Sequence, residues 1–146
     1  MDHDILNMLR RYRERDIDLH QLRLWLDGES TRADAQIPRG EWLKLKRGSE
    51  AQSNGAIARL LPACMHCLGV GEPKAFVSLQ EYRQYTHRRD TAVANGALSV
   101  IAQPGFSSEG LDSAGAVMYC RCSFCRSIWA FVEPEKAESG SWNRII

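Results

Sequence analysis

Two Cys-x-x-Cys pairs, Cys64-Met65-His66-Cys67 and Cys122-Ser123-Phe124-Cys125, constrain this chain more than any other feature. A two-residue spacing lets both thiolates of one tight turn reach a single ion. Two such turns supply the four ligands that a tetrahedral structural Zn²⁺ needs. A fold that uses them must clamp the segment after Pro62 to the C-terminal third. The chain has 5 cysteines, an odd number, so a complete set of internal disulfides is impossible. Reduced thiols, metal ligands and redox chemistry are the remaining uses.

The surplus thiol is Cys120, which lies close enough to the second turn to compete with Cys122 as a ligand; His66, inside the first pair, is another competitor. The expected metal ligands are Cys64, Cys67, Cys122 and Cys125, because two equal knuckles need no strain. Cys122 to Cys125 fits a knuckle between antiparallel strands, where backbone N–H groups stabilise the thiolates, with Tyr119 before it and Trp129 after. Four thiolates leave no open coordination position, so metal-dependent hydrolysis is not expected. A thioredoxin-type dithiol belongs at a helix N-terminus after a strand, and neither pair clearly has that context. No catalytic residues are assigned. His20 and His87 are isolated, Glu133-Pro134-Glu135 reads as solvated loop, and no nucleophile elbow or glycine-rich phosphate loop stands out.

Along the chain, Ile5, Met8, Leu9 and Tyr12 recur at helical spacing from Asp4 to about Arg15. The arginines at the end of that segment read as a solvated helix end. A second helix begins at Asp18, with Gln21 completing a capping box and Ile17 and Leu22 at staple positions. It runs to Gly28 and makes a helical hairpin that buries Trp25. Glu29 to Gly40 and Gly48 to Gly55 read as polar loops. Glu41 to Arg47 is either a short helix or an edge strand, and Ala56 to Leu61 is a helical turn before Pro62. Ser78-Leu79-Gln80-Glu81 is a full capping box opening a helix to about Asn95, with Gly96 just past its end. Leu79, Tyr82, Thr86 and Val93 would form its inner side. Short strands are expected at Ala97 to Ala102, Ala116 to Cys120 and Ser127 to Val132, with a Gly/Ser-rich loop from Gln103 to Gly115. Trp142, Ile145 and Ile146 should fold back on the domain.

The expected class is α+β: an N-terminal helical hairpin (1–28), one middle helix, and a small C-terminal antiparallel sheet carrying a zinc-ribbon-like four-cysteine site. A length of 146 residues suggests a single domain, 1–146, with a metal-stapled core over 56–132. The formal net charge of +1 is far below that of a dedicated nucleic-acid-binding domain. No apolar run approaches the roughly 18 residues of a membrane span. The acidic start, Met1-Asp2-His3-Asp4, lacks the order of a signal peptide, so the cytoplasm is the expected compartment.

Leu22-x-x-Trp25-Leu26 comes first, then the basic segment Leu43-Lys44-Leu45-Lys46-Arg47-Gly48, a Cys-x-x-Cys, a helix with Glu81-Tyr82, and a final Cys-x-x-Cys followed by Trp129. This order resembles small zinc-stabilised immunity proteins that bacteria carry against polymorphic or contact-delivered toxins. The sequence departs from that pattern after the last cysteine, where Arg126 replaces the usual glycine. The resemblance implies a cytosolic protein that binds one cognate toxin and blocks its active site; it transfers no functional residue beyond the metal ligands. The expected function is therefore a non-enzymatic protein-binding module with a structural zinc. Its contacts would come from the loops at Glu29 to Gly40 and Gln103 to Gly115. The alternatives are a zinc-ribbon nucleic-acid-binding protein, using Trp42 to Arg47 and Tyr82 to Arg89, and a thiol redox protein or sensor.

Overall fold

A computed structural model describes residues 1–105, 116–136 and 138–146. Its class is α+β, with seven helices and a five-stranded antiparallel sheet among the described residues. The chain divides into two compact units, Met1–Pro62 with Ile146, and Ala63–Ile145.

The first unit is helical: α1 (His3–Arg13), α2 (Leu19–Gly28), α3 (Ser30–Gln36), α4 (Arg39–Arg47) and α5 (Glu50–Leu60). The Asp2 side chain caps α1, and Asp18 and Gln21 form the expected capping box of α2. Ile5, Leu9, Tyr12, Leu22 and Leu26 are buried. Trp25 is only half-buried, so Leu22 and Leu26 carry the inward stripe of α2 instead. Arg13 is buried at 5% exposure, so the end of α1 is not wholly solvated.

Both regions read as polar loops contain helices. α3 lies within Glu29 to Gly40; it buries only Ala33, followed by Ile37, which is too little apolar signal to show a period. The segment from Gly48 to Gly55 ends α4 and starts α5. Ser49 and Gln52 form a capping box there, and the helix turns Ser53 and Asn54 inward. Both oxygens find partners: Ser53 Oγ donates to Lys44 O at 3.0 Å, and Tyr12 OH donates to Asn54 Oδ1 at 2.8 Å, while the buried Asn54 Nδ2 has none among the described residues. Polar residues on the inner face hid the helical period. The ambiguous segment Glu41 to Arg47 is α4, burying Trp42 and Leu45. Arg23 ties down its C-terminal end by donating to Leu45 O and Gly48 O, carbonyls that the helix itself leaves unpaired.

The second unit contains α6 (Met65–Leu68), β1 (Lys74–Ala75), α7 (Leu79–Ala94), β2 (Leu98–Ile101), β3 (Val117–Cys122), β4 (Ile128–Val132) and β5 (Ser141–Arg144). The strand order is β1-β5-β4-β3-β2, every pair antiparallel. All five residues of β4 are buried, as a central strand requires. Trp129 of β4 stacks on Trp142 of β5 with centroids 4.8 Å apart, and Phe76, Tyr85 and Phe131 extend the aromatic core. Each such side chain removed from water is worth roughly 2–3 kcal/mol. The C-terminal fold-back is thus a strand, with Trp142 opposite Phe131.

Helix α7 ends as expected, with Gly96 at φ 83° just past its last turn. Its capping box is only half formed. Ser78 Oγ accepts from Glu81 N, but the Glu81 carboxylate accepts from Val77 N and Lys74 Nζ instead of the Ser78 amide. Its inner face is broader than the expected one, of which Tyr82 and Val93 do pack against the core. Tyr85, Arg89 and Ala92 are buried, while Leu79 is 55% exposed. Arg89 is accommodated because its guanidinium lies 4.3 Å from the Phe131 ring centroid and donates to Asp90. Most of the loop from Gln103 to Gly115, namely 106–115, lies outside the described residues.

Candidate metal centre

The turn between β3 and β4 presents the second cysteine pair. Cys122 N donates to Ser127 O at 2.9 Å, and Arg126 N donates to Cys122 O at 3.1 Å, closing a tight knuckle. Arg126 sits at φ 66°, the left-handed conformation that a glycine would adopt without strain. The first pair lies on the short helix α6, with Cys64 at its N-cap and Cys67 in its turn. The two cysteine turns are therefore not equivalent: one is a hairpin knuckle and the other a helical turn.

The four sulfurs of Cys64, Cys67, Cys122 and Cys125 lie within 4.8 Å of one another. Three of their separations are 3.9 Å (Cys64–Cys67), 3.5 Å (Cys64–Cys122) and 3.6 Å (Cys67–Cys125). None is a disulfide, and all five cysteines are free. A tetrahedron with metal–sulfur bonds of about 2.3 Å has edges of about 3.8 Å. These three separations are close to that edge, and the group can hold a metal. Among the described residues it is the one cluster of this kind.

Cys120 is not part of the group. Residues two apart in a strand point to the same face but stand roughly 6.8 Å apart, so one pleat repeat separates Cys120 from Cys122. It is wholly buried in the apolar core, and burial pushes its thiol up to about 11. It behaves as a small hydrophobe. His66 also stands apart from the sulfurs. Its exposed ring stacks on Phe124 with centroids 3.7 Å apart, joining the tips of the two turns.

The surroundings favour negative charge on sulfur at particular atoms. The Cys67 thiol shares its proton with Cys125, which raises Cys67 and holds Cys125 well below the usual thiol range. Burial raises Cys122, while the backbone N–H groups of Cys125 and Phe124 pull it the other way. A metal-free group retains protons among its sulfurs; an ion would take their place, so binding is proton-linked.

Two participants carry no cysteine signature. Trp129 Nε1, which can only donate, donates to the Ser127 Oγ at 3.0 Å. The hydroxyl proton of Ser127 is therefore free to point at the Cys125 sulfur, 2.9 Å away, with Cys67 at 3.5 Å. Ser127 is wholly buried. The Arg144 guanidinium, on β5, lies in the field of Cys125, Cys67 and Cys64, although burial lowers its pKa overall. Four thiolates around a divalent ion carry a net charge of −2, and a half-buried cation partly offsets it. A serine two residues beyond the last cysteine is a findable signal only when the indole of Trp129 is known to need an acceptor.

No helix among the described residues is long and apolar enough to cross a membrane. No protein-family model, curated protein or solved structure matches this chain.

Proposed function

We propose that this chain is a non-enzymatic protein-binding module built on a structural Zn²⁺ held by Cys64, Cys67, Cys122 and Cys125. Within that class we favour an immunity protein that neutralises a cognate bacterial toxin in the cytoplasm. The observation that carries the reading is the sulfur group itself. Four sulfurs at tetrahedral spacing leave no coordination position for water or substrate, and such sites stabilise folds. Zinc is favoured over other ions by the all-thiolate set and the absence of any geometric demand from its filled shell. The centre would hold α6 against the β3–β4 turn, and binding would be left to the surface.

The alternative, nucleic-acid binding, is weakened by the fate of its aromatics. Trp42 and Tyr85 are buried and Tyr82 packs partly buried against the core, so the two basic-aromatic stretches offer little of the stacking face that a single strand uses. A redox dithiol would need sulfurs free of metal, which metal analysis decides. The test of the immunity reading is direct binding to the toxin domain encoded by the adjacent gene. A 1:1 complex of about nanomolar affinity, with protection of cells expressing the toxin, is the expected result. Absence of a toxin gene beside this one, or no complex with its product, removes the immunity reading while leaving the metal centre untouched.

A further inference from the structure

Helices α3 and α4 of the first unit line an open, solvent-facing cavity of about 460 Å³, a volume within the range of small-molecule sites. Its chemistry is uneven. Three cations line it, Arg39, Lys46 and Arg47, against one carboxylate, Asp34. Lys46 is already paired with Asp27 and lies 5.1 Å from the centroid of the Trp42 ring. Arg39 and Arg47 differ. Most cations of this unit have a side-chain or carbonyl partner: Arg23 holds Leu45 O, Arg32 holds Asp4, Lys44 pairs with Glu41, and Arg59 grips Glu41. Among the described residues, Arg39 and Arg47 have none, and both open onto the same cavity. The hydroxyls of Ser30 and Thr31 line its α3 wall, also without partners among the described residues. Unspent guanidinium forks beside free hydroxyls are the donor set for a phosphate group.

Asp34 determines the rest of the ligand. A lone carboxylate opposes a simple anion but accepts hydrogen bonds from hydroxyls. It also argues against an extended polyanion, as does the mixed charge of the first unit's surface, where Asp27, Glu29 and Glu41 pair with Lys46, Arg32 and Arg59. We propose that the cavity between α3 and α4 binds a small, hydroxyl-bearing phosphate ester. Arg39 and Arg47 hold the phosphate, and Asp34 receives the hydroxyls. This site lies wholly within Ser30–Arg47 and is independent of both the metal centre and the immunity reading.

The test uses the full chain, ¹⁵N-labelled, with ribose 5-phosphate, inorganic phosphate and a short single-stranded oligonucleotide as separate probes. Ribose 5-phosphate is expected to give saturable shifts at Arg39, Arg47 and Asp34, with a dissociation constant below about 1 mM. Arg39→Ala and Arg47→Ala should each weaken it about tenfold, the cost of a charge-assisted contact. Both residues are exposed, so these variants should fold. Asp34→Asn should weaken ribose 5-phosphate while leaving inorganic phosphate as tight or tighter. The proposal is overturned by the absence of a saturable response to ribose 5-phosphate at about 10 mM, or by a response that persists in the double arginine variant. An unchanged response in Asp34→Asn would equally overturn the hydroxyl assignment. Binding of the oligonucleotide alone, falling steeply with salt, would replace the small ligand with a polyanion interface.

Discussion

Replacing Ser127 with alanine removes one oxygen and should disturb both the core and the metal centre. Ser127 Oγ accepts from Trp129 Nε1 at 3.0 Å and stands 2.9 Å from the Cys125 sulfur. Trp129 is wholly buried with its ring stacked on that of Trp142 from the neighbouring strand, so its N–H has no route to water. Leaving that donor unsatisfied costs about 1–3 kcal/mol. In a unit of this size, about 2 kcal/mol lowers the melting temperature by roughly 8–16 °C. The second loss is the hydroxyl donor to a ligating sulfur, and outer contacts of that kind carry about tenfold to a hundredfold in metal affinity. The two effects separate in a double-mutant cycle with Trp129→Phe, which removes the indole donor. In the Trp129→Phe background, Ser127→Ala should cost about 1 kcal/mol less stability and still weaken metal binding by the same factor. Thermal unfolding with metal bound and competition against a chromophoric chelator read the two quantities. An affinity unchanged in Ser127→Ala would refute the hydroxyl-to-sulfur contact, and additive stability losses would refute the shared role of the oxygen.

Other consequences follow from the same geometry. Cys122→Ser should abolish stoichiometric metal binding, whereas Cys120→Ala should keep it and lose only about 1–1.5 kcal/mol for a removed core sulfur; the reverse pattern in metal analysis would overturn the ligand assignment. Gly71 has φ 142°, and a Cβ there would come within 2.5 Å of the Tyr85 ring. Gly71→Ala should therefore cost more than about 2 kcal/mol in denaturant unfolding, and a near-neutral result would refute the close approach. Arg59 grips both oxygens of Glu41 at 2.8 Å and holds that carboxyl below its usual range. Its contribution is fully present above the ordinary carboxylate pKa and disappears as pH falls through the lowered folded value. Because the Arg59 side chain is 52% exposed, Glu41→Gln should cost only about 0.5–1 kcal/mol at pH 7. The gap between variant and wild type should close on acidification, and a gap that widens instead would contradict the sign.

What could be read from the residues depended on how each one signals. The cysteine pairs were legible because ligand spacing is a local property, and the sulfurs of Cys64, Cys67, Cys122 and Cys125 do meet. The box at Asp18 and Gln21 was legible for the same reason. Helix α5 was not, because Ser53 and Asn54 face inward and only the distant partners Tyr12 and Lys44 make them tolerable there. In α7 the packing of Tyr82 and Val93 was legible, but the burial of Arg89 was not, because it looks like a surface residue until the Phe131 ring is placed beneath it. The roles of Ser127 and Arg144 depend on which strands meet, β4 beside β3 and β5, and neighbouring residues in the chain do not encode that pairing.

The metal content of the native protein tests the central claim most directly. The chain should be purified under reducing conditions without added metal and weighed by native mass spectrometry, with elemental analysis alongside. One Zn²⁺ per chain is expected, lost together with folded structure when a strong chelator is added. A metal-free chain that remains folded while all of its thiols except the buried Cys120 react freely would contradict the account.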